Sequence, residues 1–205
     1  MTSSLQVNQA FVLEKYNNFI DFQLWPLSSR LDPIGWLRNF TPAEQEFALH
    51  LLNSFSFFSD LLVREMFLAA FQNVSNQFHP ISLDFGAAKL LWRQFCDELV
   101  VTFVTGENPN PTDSGFLFAR MARQFLSIPE ERIIEPRDAL RLLVSGSDRP
   151  ILFVDDFVGS GQQFISTWNR LYDIGLTSGG RMSFRMHAAL NGGRYFYTPV
   201  VARPF

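Results

Sequence analysis

Residues 151–164, ILFVDDFVGSGQQF, decide how this chain folds. Four apolar residues run into the acidic pair Asp155 and Asp156. A turn containing Gly159 and Gly161 follows, and a helical pattern opens near Gln162. A short unbroken apolar run bounded by turn residues reads as a strand buried on both faces, taken as 150–154. A strand, a glycine turn and a helix make the first half of a right-handed crossover between parallel strands. In such sheets ligands bind beyond the C-terminal ends of the strands, so the two acids are expected at that edge. The turn presents unpaired backbone N–H groups at a helix N-terminus, which suits a phosphate. Two carboxylates just before it suit hydroxyl groups or a magnesium ion near that phosphate. The ligand implied is a sugar phosphate with a vicinal diol.

Working outward, the rest of the second half alternates in the same way. LVVTFVT (99–105) is a β-branched strand, SGFLFARMARQFL (114–126) a helix, RII (132–134) a short strand and PRDALRLLVSG (136–146) a helix. After the acidic strand, QQFISTWNRLYDIG (162–175) reads as a helix and RYFYTPVVA (194–202) as a final strand. This order predicts an α/β fold with a mostly parallel sheet over residues 99–205. Residues 1–98 instead repeat apolar positions at helical spacing in about five segments, and Pro26, Pro33 and Pro80 fall between them. They predict a helical region packing on the core. Thr41, Pro42 and Glu44 form the start signal of its third helix.

Composition narrows the function. The 205 residues carry a formal charge of −3, which gives no general electrostatic case for nucleic-acid binding. One cysteine and three histidines supply no zinc-ligand spacing, and the single cysteine fits a reducing cytoplasm. No apolar run approaches the roughly 20 residues needed to cross a bilayer, and no signal-peptide pattern opens the chain, so a soluble protein is expected. The 23 phenylalanines read as a Phe-rich helical core, with an exposed aromatic face for a partner as the sharper alternative.

Val154-Asp155-Asp156-Phe157-Val158-Gly159-Ser160-Gly161 resembles the diphosphate-sugar motif of the phosphoribosyltransferases: apolar residues, two acids, two apolar residues and a small-residue turn. The resemblance implies that Asp155 and Asp156 hold the ribose hydroxyls, as the catalytic pair and through a magnesium-bound ligand. It implies that Val158, Gly159, Ser160, Gly161, Gln162 and Gln163 cradle the 5-phosphate. Upstream, a polar loop after strand 99–105 is similar in layout to the family's pyrophosphate loop, and makes Ser114, Gly115 and Arg120 candidate contacts. Arg120 and Arg123 equally suit a solvated helix face. LDPIGWLRNF (31–40), 114–133, 151–169 and 194–202 are similar to a subgroup from bacterial conflict and antiviral loci, some of whose members are effectors encoded beside retron reverse transcriptases.

The departures from the family bear on mechanism. Gln162 and Gln163 stand where a Thr or Ser is usual after the last turn glycine. A helix fills the interval where a flexible lid is expected, and the chain ends on VVARPF with no later segment for a base-reading hood. Either the product is truncated, or the helical half or a partner supplies the hood. Two functions stay open. One is an effector acting at C1 of phosphoribosyl pyrophosphate, a nucleotide or a related N-glycosidic ligand, in anti-phage defence. The other is a catalytically silent module that binds such a ligand and regulates a protein or ribonucleoprotein partner. A reverse transcriptase–RNA/DNA complex, another defence protein or a second copy of the chain are the partners to consider. An ATPase half-site fails, because no GxxxxGK[ST] occurs.

Overall fold

The computed structural model describes residues 8–26, 30–78, 84–106, 115–175 and 180–202. The chain forms two compact units that part between Val63 and Arg64, so the helices just before residue 98 count with the sheet.

In the first unit, α1 (Gln9–Asp21), α2 (Pro33–Leu37) and α3 (Gln45–Ser54) enclose Val12, Tyr16, Trp25, Leu37, Ala48 and Leu52. Asn8 caps α1 through its side chain, and Asp32 caps α2 ahead of Pro33. Only half of the expected capping box forms before α3. The Glu44 carboxylate accepts from the Thr41 amide at 2.9 Å and from the Thr41 hydroxyl at 2.7 Å. That hydroxyl, spent as a donor, caps no helix amide, and α3 begins at Gln45. The buried Tyr16 hydroxyl donates to the Leu52 carbonyl at 3.1 Å, joining α1 to the end of α3.

Most of α4 (Asp60–Val74) and all of α5 (Phe85–Glu98) belong to the second unit. There β1 (Val100–Phe103), β2 (Ile151–Val158) and β5 (Tyr195–Ala202) form a parallel sheet in the order β1-β2-β5. The expected strand at RII is a single parallel bridge, Val101 to Ile133. One face carries α7 (Pro136–Val144), α8 (Gln162–Asn169) and α9 (Phe184–Asn191) over Val100, Ile151 and Phe153. Because side chains alternate along a strand, the next residues face the other way. Phe103 meets Phe116 of α6 (Gly115–Leu126), and Phe196 meets Phe95 of α5 at 5.1 Å. The aromatic surplus before residue 130 is thus spent partly in this second layer, where Phe71, Phe78, Trp92 and Phe95 form a continuous set of ring contacts.

Two expectations are corrected here. The helix predicted over 162–175 stops at Asn169, and Tyr172–Asp173 (β3) pairs antiparallel with Arg181–Met182 (β4). The acidic strand does not stop at 154. On the β1 side its ladder ends at Phe103 opposite Val154, but on the β5 side pairing continues through Asp155–Pro199 and Phe157–Val201 to Val158–Ala202. Pro199 is tolerated because β5 lies at the sheet edge.

Candidate functional site

The site is built where β2 outlives β1. Ile151 to Val154 are fully buried, Asp155 is 3% exposed and Asp156 is half-buried. The acids therefore stand beyond the end of one neighbouring strand while the other still holds them in extended geometry. Asp155 follows Ile151 and Phe153 on the α8 face. Its Oδ2 accepts from the Tyr197 hydroxyl at 2.7 Å, and its Oδ1 from the Asp156 amide at 3.1 Å. Burial pushes the Asp155 carboxyl up from 3.8 to about 6; the Tyr197 hydrogen bond opposes the shift and the Asp156 charge adds to it. Burial, and then the facing Asp155, push the Tyr197 hydroxyl far above its ordinary range, so it remains a neutral donor. Among the described residues Asp156 accepts one hydrogen bond from a protein donor, its Oδ1 from the Phe157 amide at 2.7 Å, and its side chain also bears on the neighbouring Asp155 carboxyl.

The turn follows at once. Val158 and Gly159 are half-buried and Ser160 is exposed. Gly161, at φ 74°, is the N-cap of α8 and offers no side-chain acceptor, while the Ser160 hydroxyl accepts from the Gln162 amide at 3.4 Å. Left-handed backbone favours glycine, and a glycine cap supplies no side-chain acceptor, so the remaining first-turn N–H groups point outward with the positive end of the helix dipole. Gln162 and Gln163 are exposed, and Gln162 Nε2 donates to Ser166 at 3.3 Å.

Of the upstream candidates, Ser114 lies outside the described residues. Gly115 opens α6, buried, and a Cβ there would come within 2.8 Å of the Val104 carbonyl oxygen and 3.0 Å of Phe103 Cβ. Its glycine is thus explained by packing against β1. Arg120 is exposed on α6 with no hydrogen bond or ion pair among the described residues, and Arg123 pairs with Glu130 at 3.0 Å. Neither arginine is brought to the acids by any described contact.

Two residues that sequence reasoning passed over organise the site. Tyr197 holds Asp155, and the alternation Tyr195, Tyr197 on a predicted strand was the available signal. Arg170, just past α8, donates through Nη1 to the Thr105 hydroxyl at 2.6 Å and through Nη2 to the Gly106 carbonyl. The Thr167 hydroxyl accepts from the Thr105 amide at 3.1 Å and lies 3.0 Å from the Thr105 carbonyl. The end of α8 therefore holds the start of the segment that follows β1.

No group of three or more His, Cys, Asp or Glu side chains suited to a metal ion occurs among the described residues. The acids still fit a cation held mostly by ligand oxygens and water, since among the described residues no protein donor takes the second Asp156 carboxylate oxygen. Among the described residues no helix is long and apolar enough to cross a membrane.

A parallel sheet with an acidic pair at the C-terminal side of its central strand, a glycine turn and a helix behind it defines a phosphoribosyltransferase-like protein. The model of the family PRTase-CE matches residues 33–202, and the chain belongs to that family. No curated protein matches it, and no solved structure does.

Proposed function

We propose that the protein binds phosphoribosyl pyrophosphate or a nucleotide at the β2–α8 turn and acts at C1 of its ribose. The observation that supports this most is the pairing of Asp156, whose second carboxylate oxygen takes no protein donor among the described residues, with the glycine-led start of α8, where a single long bond from Ser160 occupies the first amide. The first suits ribose hydroxyls and the second a phosphate dianion, at the separation that one short turn imposes. Val158 to Gln163 would line the phosphate, and the Asp155–Asp156 pair would form the acidic side of the ribose site, facing the sugar and its magnesium-bound form.

In this reading the bond from C1 to the departing group breaks with its electron pair leaving on that group, and a nitrogen or water oxygen forms the new bond at C1, its proton passing to solvent. Magnesium, when bound, supplies positive charge for the departing phosphates. The residues themselves orient the sugar and place negative charge beside a cationic C1. No protein nucleophile is needed, which suits a site without one. The likeness of residues 31–40, 114–133, 151–169 and 194–202 to the conflict-system subgroup supports an effector role in anti-phage defence, partnered by a reverse transcriptase complex or another defence protein in the cytoplasm.

A second reading keeps the binding and omits the reaction. It is favoured by α7, which occupies the interval where a mobile lid would exclude water. The experiment is calorimetric titration of phosphoribosyl pyrophosphate with magnesium into wild type and the Asp155→Asn/Asp156→Asn double variant, followed by metabolite profiling of cells expressing each. Binding lost in the variant together with a wild-type-dependent change in phosphoribosyl, nucleotide or dinucleotide pools supports the enzyme. Binding lost with no metabolite change supports the silent module, and unchanged affinity in the double variant removes the site.

A further inference from the structure

The two neighbouring carboxylates of β2 are held in opposite ways. Both Asp155 oxygens are already taken by the protein, one by the Tyr197 hydroxyl at 2.7 Å and one by the Asp156 amide at 3.1 Å, and the residue is 3% exposed. Asp156 is half-buried, and among the described residues no protein donor takes its second oxygen; the neighbouring Asp155 carboxyl, on which its side chain also bears, offers no competing cation. A carboxylate whose hydrogen bonds are made inside the fold gains little by exchanging them for a ligand's hydroxyls, whereas an uncommitted oxygen gains a charge-assisted bond.

Tyr197 does more than satisfy a buried acid. Its ring stacks on Phe164 at 4.2 Å and 22°, and Phe164 lies in the first turn of α8 and meets Phe153 edge-on at 5.5 Å. One aromatic side chain from the edge strand thus touches the acid of the central strand at its hydroxyl and the start of the next helix at its face. The relative placement of the acidic pair and the α8 amides passes through that ring.

We propose that Asp156 is the acid that contacts the ligand, and that Asp155 and Tyr197 are positioning residues that fix Asp156 against the first turn of α8. The proposal rests on the ligand reading above and assigns unequal roles within it. Asp155→Asn is close to isosteric and can be satisfied in place. Its oxygen accepts from the Asp156 amide and its NH₂ donates to the Tyr197 oxygen, so position survives while charge is lost. Asp156→Asn removes the ligand's own acceptor charge. Tyr197→Phe keeps the Phe164 stack and removes only the bond to Asp155.

The test has two arms. In the first, phosphoribosyl pyrophosphate with magnesium is titrated into wild type and the three single variants, with thermal unfolding run on each to establish folding. Asp156→Asn should lose about 10–100-fold in affinity, the range of a hydrogen bond to a charged group. Asp155→Asn should lose about threefold and Tyr197→Phe about tenfold. Equal losses in folded Asp155→Asn and Asp156→Asn overturn the division of roles. The second arm needs no ligand. Carbodiimide-driven amidation with a small amine, mapped by peptide mass spectrometry, should label Asp156 and spare Asp155 in wild type, and should reach Asp155 in Tyr197→Phe. If wild type binds no phosphoribosyl pyrophosphate, the ligand reading fails, and the labelling arm still decides whether Asp155 is withheld; labelling of both acids alike overturns the proposal by itself.

Discussion

β5 carries two tyrosines, two residues apart on the same face, and each makes one 2.7 Å bond to a buried titratable partner. At the N-terminal end, Tyr195 meets Nδ1 of His187 from α9; at the C-terminal end, Tyr197 meets Asp155 of β2. Imidazole nitrogen can donate or accept according to its tautomer, so the first pair can close with either group as the donor. A carboxylate only accepts, so the second pair fixes the direction of the bond and leaves a charge to be balanced. Burial raises both tyrosines, Tyr195 to about 12, yet only Tyr197 also faces an acid. The same strand geometry yields a fastening that can run in either direction at one end and, at the other, one in which the buried acid can only accept.

That comparison breaks most severely at the residue that backs a ring against each tyrosine, Phe164 against Tyr197 and Trp168 against Tyr195. Phe153 is fully buried and touches Phe164, Trp168 and Phe184. Phe153→Ala should cost about 3–5 kcal/mol, read as a fall in the denaturant midpoint, and abolish the distinction between the two ends. The acid end should next reveal itself through pH. The folded-state carboxyl of Asp155, up from 3.8 to about 6, binds its proton more tightly than the unfolded chain does. Its contribution is therefore fully present below pH 3.8 and is lost as pH rises through about 6, a change of up to about 3 kcal/mol. Asp155→Asn should flatten that part of the stability profile measured by urea unfolding from pH 3.5 to 7.5.

Tyr195→Phe sharpens the contrast by leaving the buried His187 nitrogen without its partner. It should cost about 1–3 kcal/mol of stability while leaving the affinity for phosphoribosyl pyrophosphate unaltered. A matching loss of affinity would show that the two ends are not separate. The smallest effect belongs to Gly161→Ala. The nearest atom to the added Cβ, Val158 Cγ2, is 4.0 Å away, so only the left-handed backbone is penalised, by about 1–2 kcal/mol, and a smaller melting-temperature shift than that of Tyr195→Phe is expected.

The acidic strand, the glycine turn and the start of α8 were legible because each is a local signal: an apolar run, a left-handed residue, a change of period. What escaped was set by partners distant in the chain. β2 continues past its acids because β5 supplies the matching edge, Pro199 opposite Asp155 and Ala202 opposite Val158. α8 stops at Asn169 because the next residues are used elsewhere, Arg170 by Thr105 and Gly106, and Tyr172 by Met182. α9 went unread within SFRMHAALN, although Ser183 caps it by accepting from the Met186 amide at 3.1 Å. Tyr197 was placed on a strand from its sequence, but its bond to Asp155 spans 42 positions, and no local pattern announces it.

The way α8 is held at both ends has a metric consequence. Its first turn follows Gly161, and its last turn and Arg170 grip Thr105 and Gly106, which lead from a different strand. Eight helical residues, a rise of about 12 Å, thus act as a ruler between two loops that are far apart in sequence. A helix lengthens only in whole residues, each adding about 1.5 Å and a turn of about 100°. The spacing is therefore quantised: inserting one residue between Gln163 and Thr167 would not stretch the gap slightly but would rotate the grip on Thr105 out of register.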